Sequence, residues 1–185
     1  MRKRGALSIL SDRIETPIGP LLLLARDGAL VGLEFDDQPE RIAKDLRLHY
    51  GTSELFPAPN PHGFSDRIRA YFAGDFKAIE DLPTEAGGTD FQRRVWAELK
   101  LIPCGTTISY GELARRLGDS NLMRAVGAAN GRNPVSIVVP CHRVIGADGT
   151  LTGYGGGLPR KKWLLTHEGI SISGDRLSPQ PDFFD

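Results

Sequence analysis

ISYGELARRLGDSNLMRAVGAAN, residues 108–130, decides how the second half of this chain folds. Ser109-Tyr110-Gly111-Glu112 has the Ser-x-x-Glu form of a capping box in front of Leu113 and Leu117, so a helix begins there. Gly118 can stop it, and Asp119 or Ser120 can cap a second helix over roughly 122–130. Two short helices joined by a tight glycine-containing turn make a helix-turn-helix. The second helix is unusual: Arg124 is followed by Ala125, Gly127, Ala128 and Ala129. Such small side chains let its backbone approach closely, either to a core neighbour or to an outside partner. With one cation and little else, a nucleic-acid role rests on Arg124 and on that close approach.

Downstream, Asn133-Pro134 breaks the helix, and the apolar run Val135 to Val139 reads as a buried strand leading into Pro140-Cys141-His142-Arg143-Val144. Asp148-Gly149 makes a turn, 151–157 is a glycine-rich loop, and Pro159 opens a helix that ends at Gly169. The tail 171–185, rich in Ser, Pro and Asp, reads as frayed. Upstream, Phe91, Val95 and Leu99 recur at helical spacing after a linker over 83–90. Residues 1–82 form an α/β unit. Leu7 to Ile14 and Leu21 to Ala25 are strand-like, and Asp27-Gly28 turns the chain into a returning strand, Leu30 to Phe35. A helix follows over Gln38 to Tyr50, and Ser65 can cap another that carries Ile68 and Phe72. The domains expected are therefore 1–82 and 91–170.

Of the 185 residues, 40% are hydrophobic and 25% charged, as in ordinary globular proteins. No apolar run reaches the eighteen or so residues of a membrane span. Asp12 and Arg13 interrupt the apolar stretch behind the basic Met1 to Arg4, so it is not read as a secretory signal, and a cytoplasmic location is expected. Two cysteines make no disulfide framework, and four histidines without zinc-site spacing call for no metal. Net charge is zero, but unevenly spread. Residues 1–90 hold 11 Lys/Arg against 15 Asp/Glu (−4), residues 91–166 hold 11 against 4 (+7), and residues 167–185 hold 1 against 4 (−3). Either the second half has a basic face suited to a polyanion, or these charges scatter over the surface.

Cys141 is the chemical centre of the sequence. A cysteine among cations is favoured as thiolate, which brings its pKa below about 8.5. Cys104 has no such setting and reads as inert. Along an extended strand His142 points away from the sulfur, so it reaches Cys141 only if the backbone turns or a water intervenes. As a base it needs a carboxylate partner, and Glu168 and Asp148 are the candidates. A cysteine hydrolase and a non-catalytic DNA-binding regulator are the competing readings of these residues.

The whole set resembles the O6-alkylguanine-DNA alkyltransferases of the stand-alone bacterial type. Pro140-Cys141-His142-Arg143-Val144 resembles their active-site signature. Ile108-Ser109-Tyr110-Gly111, Arg124-Ala125-Val126-Gly127, Asn133-Pro134-Val135, Tyr154-Gly155-Gly156 and Trp163-Leu164-Leu165 through His167-Glu168-Gly169 follow the same order and spacing. The resemblance implies an α+β protein with a ribonuclease-H-like N-terminal domain and a winged-helix-like C-terminal domain. It implies one irreversible transfer of an alkyl group from O6 of guanine onto Cys141, without a cofactor, and leaves O4 of thymine open as a second donor. It makes His142 a water-mediated base, Glu168 the carboxylate behind it and Asn133 a brace. Arg124 becomes the finger that replaces a flipped nucleotide, on a minor-groove surface with Ala125, Gly127 and Ala128. Tyr110 rotates the nucleotide and donates a proton. Val144, Tyr154, Gly155 and Gly156 line the base pocket. The partner implied is double-stranded DNA, met by a monomer, with cooperative binding along the duplex left open. The reading needs a thiol open to a cleft that admits a purine.

Overall fold

The structure, a computed structural model, describes residues 8–51 and 54–178; the expected strand residue Leu7 and tail residues 179–185 lie outside them. The N-terminal half is a four-stranded sheet in the order β3-β2-β1-β4, made of β1 (Ile9–Ile14), β2 (Leu21–Arg26), β3 (Ala29–Phe35) and β4 (Leu55–Pro57). The β2–β3 hairpin turns through Asp27 and Gly28, both at positive φ, as a two-residue turn between twisted strands requires. Helix α1 (Pro39–Tyr50) starts on its proline, stops at left-handed Gly51, and buries Ile42 and Leu46 against Ile9, Leu24 and Val31. Helix α2 (Phe64–Phe72) covers the other face. Ser65 is not its cap. The N-cap is left-handed Gly63, and the Ser65 hydroxyl donates instead to the Asp12 carboxylate at 2.6 Å.

The C-terminal half opens with α3 (Asp90–Lys100), whose Thr89 and Gln92 form a reciprocal capping box. A two-residue strand β5 (Ile108–Ser109) leads into α4 (Tyr110–Arg116), where the Ser109 side chain accepts from the Glu112 N–H. Helix α5 (Met123–Gly131) completes the helix-turn-helix. Strand β6 (Val144–Ile145) pairs parallel with β5, and α6 (Leu158–His167) follows. The chain does not fray at 171. Strands β7 (Ile172–Ser173) and β8 (Arg176–Leu177) form a hairpin, because Ile170, Ile172 and Leu177 have an apolar seat on Ile145, Leu151 and Leu165.

The free edge of β3 joins the halves. Leu30 N–H donates to Pro83 O while Leu30 O accepts from Glu85 N–H, and Leu33 N–H and O pair in the same way with Pro134 O and Ser136 N–H. The segment expected as a linker and the loop leading to Cys141 thus cover one edge strand, and a single core runs across both halves. Val135 to Val139 is not a strand. Only Val135 bridges to Leu33; the run then coils tightly, with Ile137 at φ 73° and Val139 N–H returning to Val135 O. The Asn133 side chain takes the Val135 N–H and gives to Val139 O, which outcompetes a ladder. A β-branched residue at positive φ costs about 1–3 kcal/mol, strain of the kind found beside functional sites.

Candidate active site

Two buried asparagine amides hold the end of this coil and the turn at Cys141. Asn133 Nδ2 lies 2.7 Å from Val139 O, and Asn130 Nδ2 reaches Cys141 O at 3.4 Å. Cys141–Arg143 then forms one 3-10 turn, so His142 swings into the core rather than to the opposite face of a strand. Its Nε2 sits 2.8 Å from Glu168 Oε1. Arg143 grips the same carboxylate with Nε at 2.8 Å and Nη2 at 2.9 Å, and donates through Nη1 to Ile102 O. A fourth partner comes from the N-terminal half: the Tyr71 hydroxyl donates to Glu168 Oε1 at 2.8 Å. Asp148, the other candidate acid, is on the surface, engaged with Thr150 and Arg176.

These contacts set protonation states. Burial alone raises the Glu168 carboxyl, but His142 and Arg143 override it and hold the group well below the usual carboxylate range. Burial holds the His142 pKa down, with Glu168 opposing, so the imidazole is neutral. Its Nε2–H therefore donates to Glu168, and its basic lone pair is on Nδ1, which is buried with no hydrogen-bond partner among the described residues.

The sulfur departs from expectation. Burial pushes the Cys141 thiol up, not down, and the groups that oppose it are Asn133, Lys161 and Arg41. His142 and Arg143 do not stabilise a thiolate directly, because both are committed to Glu168. Cys104 is also raised, to about 11, mainly by burial, in keeping with an inert thiol.

Lys161 was not singled out by the sequence. Its fully buried ammonium donates to Val144 O at 2.5 Å, Thr152 O at 2.8 Å and Gly153 O at 3.2 Å. It thereby ties the glycine-rich loop beside the sulfur.

A pocket does lie at Cys141, walled by Tyr154, Gly155 and Gly156 on one side and by Phe35, Gln38 and Arg41 of the N-terminal half on the other. Val144 does not line it; fully buried in β6, it gives its N–H to Cys141 O and its carbonyl to Lys161. The open cleft that the sequence reading requires is absent in this conformation. Cys141 is 4% exposed, and the free cavity is about 10 Å³, room for no more than a water. The N-terminal side chains fill the space, and a base enters only if a wall moves. Tyr110 stands at the rim, its hydroxyl donating to Thr152 O at 3.2 Å and its ring over Gly127. Gly127 therefore seats Tyr110. Arg124, Ala125 and Ala128 are exposed on the outer side of α5, and Arg124 has no hydrogen-bond or ion-pair partner among the described residues.

The fold and site define a class: a two-domain protein with a buried, pocketed thiol, a histidine–carboxylate pair next to it in the chain, and a helix-turn-helix. Residues 9–86 match the model of the 6-O-methylguanine DNA methyltransferase ribonuclease-like domain, and residues 90–170 match the DNA binding domain of the same family. The chain belongs to the 6-O-methylguanine DNA methyltransferase family. A methylated-DNA–protein-cysteine methyltransferase of Shigella flexneri is 52% identical over 169 residues, covering 90% of this chain and 99% of the relative. A Mycobacterium tuberculosis relative of the same name is 47% identical over 84% of this chain and 89% of its own length. The crystal structure of Mycobacterium tuberculosis OGT in complex with DNA superimposes with a TM-score of 0.73 at 45% identity, over 86% of this chain and 92% of that one.

Proposed function

We propose that this chain repairs DNA by direct reversal, moving the alkyl group from O6 of guanine onto Cys141 in a single irreversible turnover. The observation that carries the reading is the pocketed thiol of Cys141, followed directly by a neutral His142 whose Nε2–H is held by Glu168 and whose Nδ1 is left free.

The thiol proton passes to His142 Nδ1 through a water, and the imidazolium that forms is stabilised by Glu168. Tyr71 and Arg143 keep that carboxylate ionised and aligned. The buried thiolate is then held by Asn133, Lys161 and Arg41. Its sulfur attacks the alkyl carbon, the carbon–O6 bond breaks, and the electron pair returns to guanine, which takes a proton from Tyr110. His142 gives the first proton back through solvent and Tyr110. The thioether has no easy reverse, so the protein is consumed, and no cofactor is needed because the cysteine itself accepts the group.

The lesion is reached by extruding the nucleotide through the minor groove, at a cost of a few kcal/mol that falls for a poorly paired base. Unpaired Arg124 fills the vacancy, while Ala125 and Ala128 let α5 seat closely. The protein acts as a monomer in the cytoplasm; among the described residues no helix is long and apolar enough to cross a membrane.

The test is incubation with duplex DNA labelled on the alkyl group. Label should become protein-bound, one per molecule at most. Unbound label released over many turnovers would instead indicate a hydrolase, and binding without label transfer a regulator.

A further inference from the structure

The loop that forms the inner pocket wall, 152–157, has no regular structure of its own and is held by tethers. Two lie within the C-terminal half: Lys161 on Thr152 O and Gly153 O, and Tyr110 on Thr152 O. The others cross the seam between the halves. Gln38 Nε2 donates to Gly155 O at 2.9 Å. Arg160 is fixed by Ile18 O at 2.9 Å, by Asp37 at 2.8 Å and by the face of Phe35 at 4.0 Å, and it holds Gly156 O at 3.2 Å. The approach is as close as glycine permits. A Cβ on Gly156 would meet the Phe35 ring at 2.6 Å, and one on Gly155 would meet Arg41 at 3.0 Å.

Gln38 is the N-cap residue of α1, yet its side chain makes no capping bond there. Its amide is used 117 residues away, on the wall of the pocket. The cavity beside Cys141 is about 10 Å³, so binding a base must displace a wall. The backbone carrying Cys141 is fixed by the buried Asn130 and Asn133 bonds.

We propose that Gln38 is a specificity-determining residue: its clasp on Gly155 makes the N-terminal half set the size of O6 group that the pocket accepts. The inference rests on the alkyl-transfer reading above. The base shifts the loop no further than the Gln38 side chain can follow, so with a small O6 group the Gln38 bond re-forms over the displaced loop. A bulky group pushes the wall beyond that reach, and the bond stays broken in the complex. Discrimination against bulk is then the value of one hydrogen bond, and selectivity is a ratio of transfer rates.

The experiment compares second-order transfer rates for O6-methylguanine and O6-benzylguanine in one duplex, using the wild type, Gln38→Glu and Gln38→Ala. Gln38→Glu keeps size and shape but cannot donate, and an acid at a helix N-terminus does not endanger the fold. Both variants should raise the benzyl-to-methyl rate ratio by about fivefold, the usual worth of one neutral hydrogen bond. A ratio unchanged in Gln38→Glu overturns the clasp while leaving methyl transfer to Cys141 standing. Absence of methyl transfer in the wild type overturns both.

Discussion

Replacing Glu168 with glutamine exchanges one carboxylate oxygen for an NH2 group and should disturb both stability and chemistry. The carboxylate is the common acceptor for Tyr71, His142 and Arg143, all buried. An amide removes the charge and turns one of its ends into a donor facing other donors. Breaking a buried, hydrogen-bonded ion pair from one side costs about 3–5 kcal/mol, because Arg143 is left uncompensated. For a chain of this size each kcal/mol shifts Tm by about 2–4 °C, so a fall of about 6–20 °C is expected. The rate loss has a separate origin. At the 2.8 Å His142–Glu168 separation, an effective dielectric of about 20 gives about 6 kcal/mol for a full imidazolium charge. With that charge half developed in the transition state, about 3 kcal/mol is lost, which is about a hundredfold in rate. Quenched-flow transfer from an O6-methylguanine duplex, run well below the variant's Tm and normalised to folded protein, measures it. A folded Glu168→Gln protein that transfers within threefold of the parent would refute the relay.

Three further outcomes follow from named contacts. Tyr71→Phe removes only the hydroxyl on Glu168, a bond to a charged group worth about 1.5–3 kcal/mol; calorimetry should show a Tm lower by about 3–12 °C, and an unchanged Tm would mean that this bond contributes nothing. The Glu34 carboxyl is pushed up to about 7, mainly by burial with Arg41 opposing, so the folded state binds more protons than the unfolded between about pH 4.5 and 7. Its contribution to stability is present at the acid end of that window and lost as pH rises through about 7; Glu34→Gln should flatten the parent's Tm-against-pH curve there by the equivalent of about 1–3 kcal/mol, and parallel curves would contradict the shift. Arg124→Ala should slow repair in duplex DNA by tenfold or more, on the order of the few kcal/mol that extrusion costs, while leaving reaction with free O6-benzylguanine near the parent rate; equal losses on both would remove the finger role.

What the sequence made legible was local. The Asp27-Gly28 turn, Pro39 at the head of α1 and Ser109 before α4 each act within a few residues, and each stands where its chemistry requires. Glu168 could be named because a histidine base needs an acid, but only folding chose it over Asp148, which is drawn to Arg176 on the surface. Val135 to Val139 shows the opposite case. The apolar run bounded by proline reads as a buried strand, but one asparagine side chain, which nothing in the apolar pattern announces, coils it instead. The cations around the sulfur were misassigned for a related reason. His142 and Arg143 adjoin Cys141 in sequence but are claimed by Glu168, whereas Lys161 and Arg41 arrive from other elements. Lys161 sits in a basic run that looks solvated, and Gln38 and Tyr71 act across 117 and 97 positions. Nothing in their neighbours announces such contacts.

The most direct measurement is peptide mapping by mass after the protein meets an O6-methylguanine duplex. One methyl group should appear on the peptide containing Cys141, with none on that containing Cys104, and the DNA should return to plain guanine in equal amount. Repaired DNA with an unmodified Cys141 peptide would contradict the account at its root.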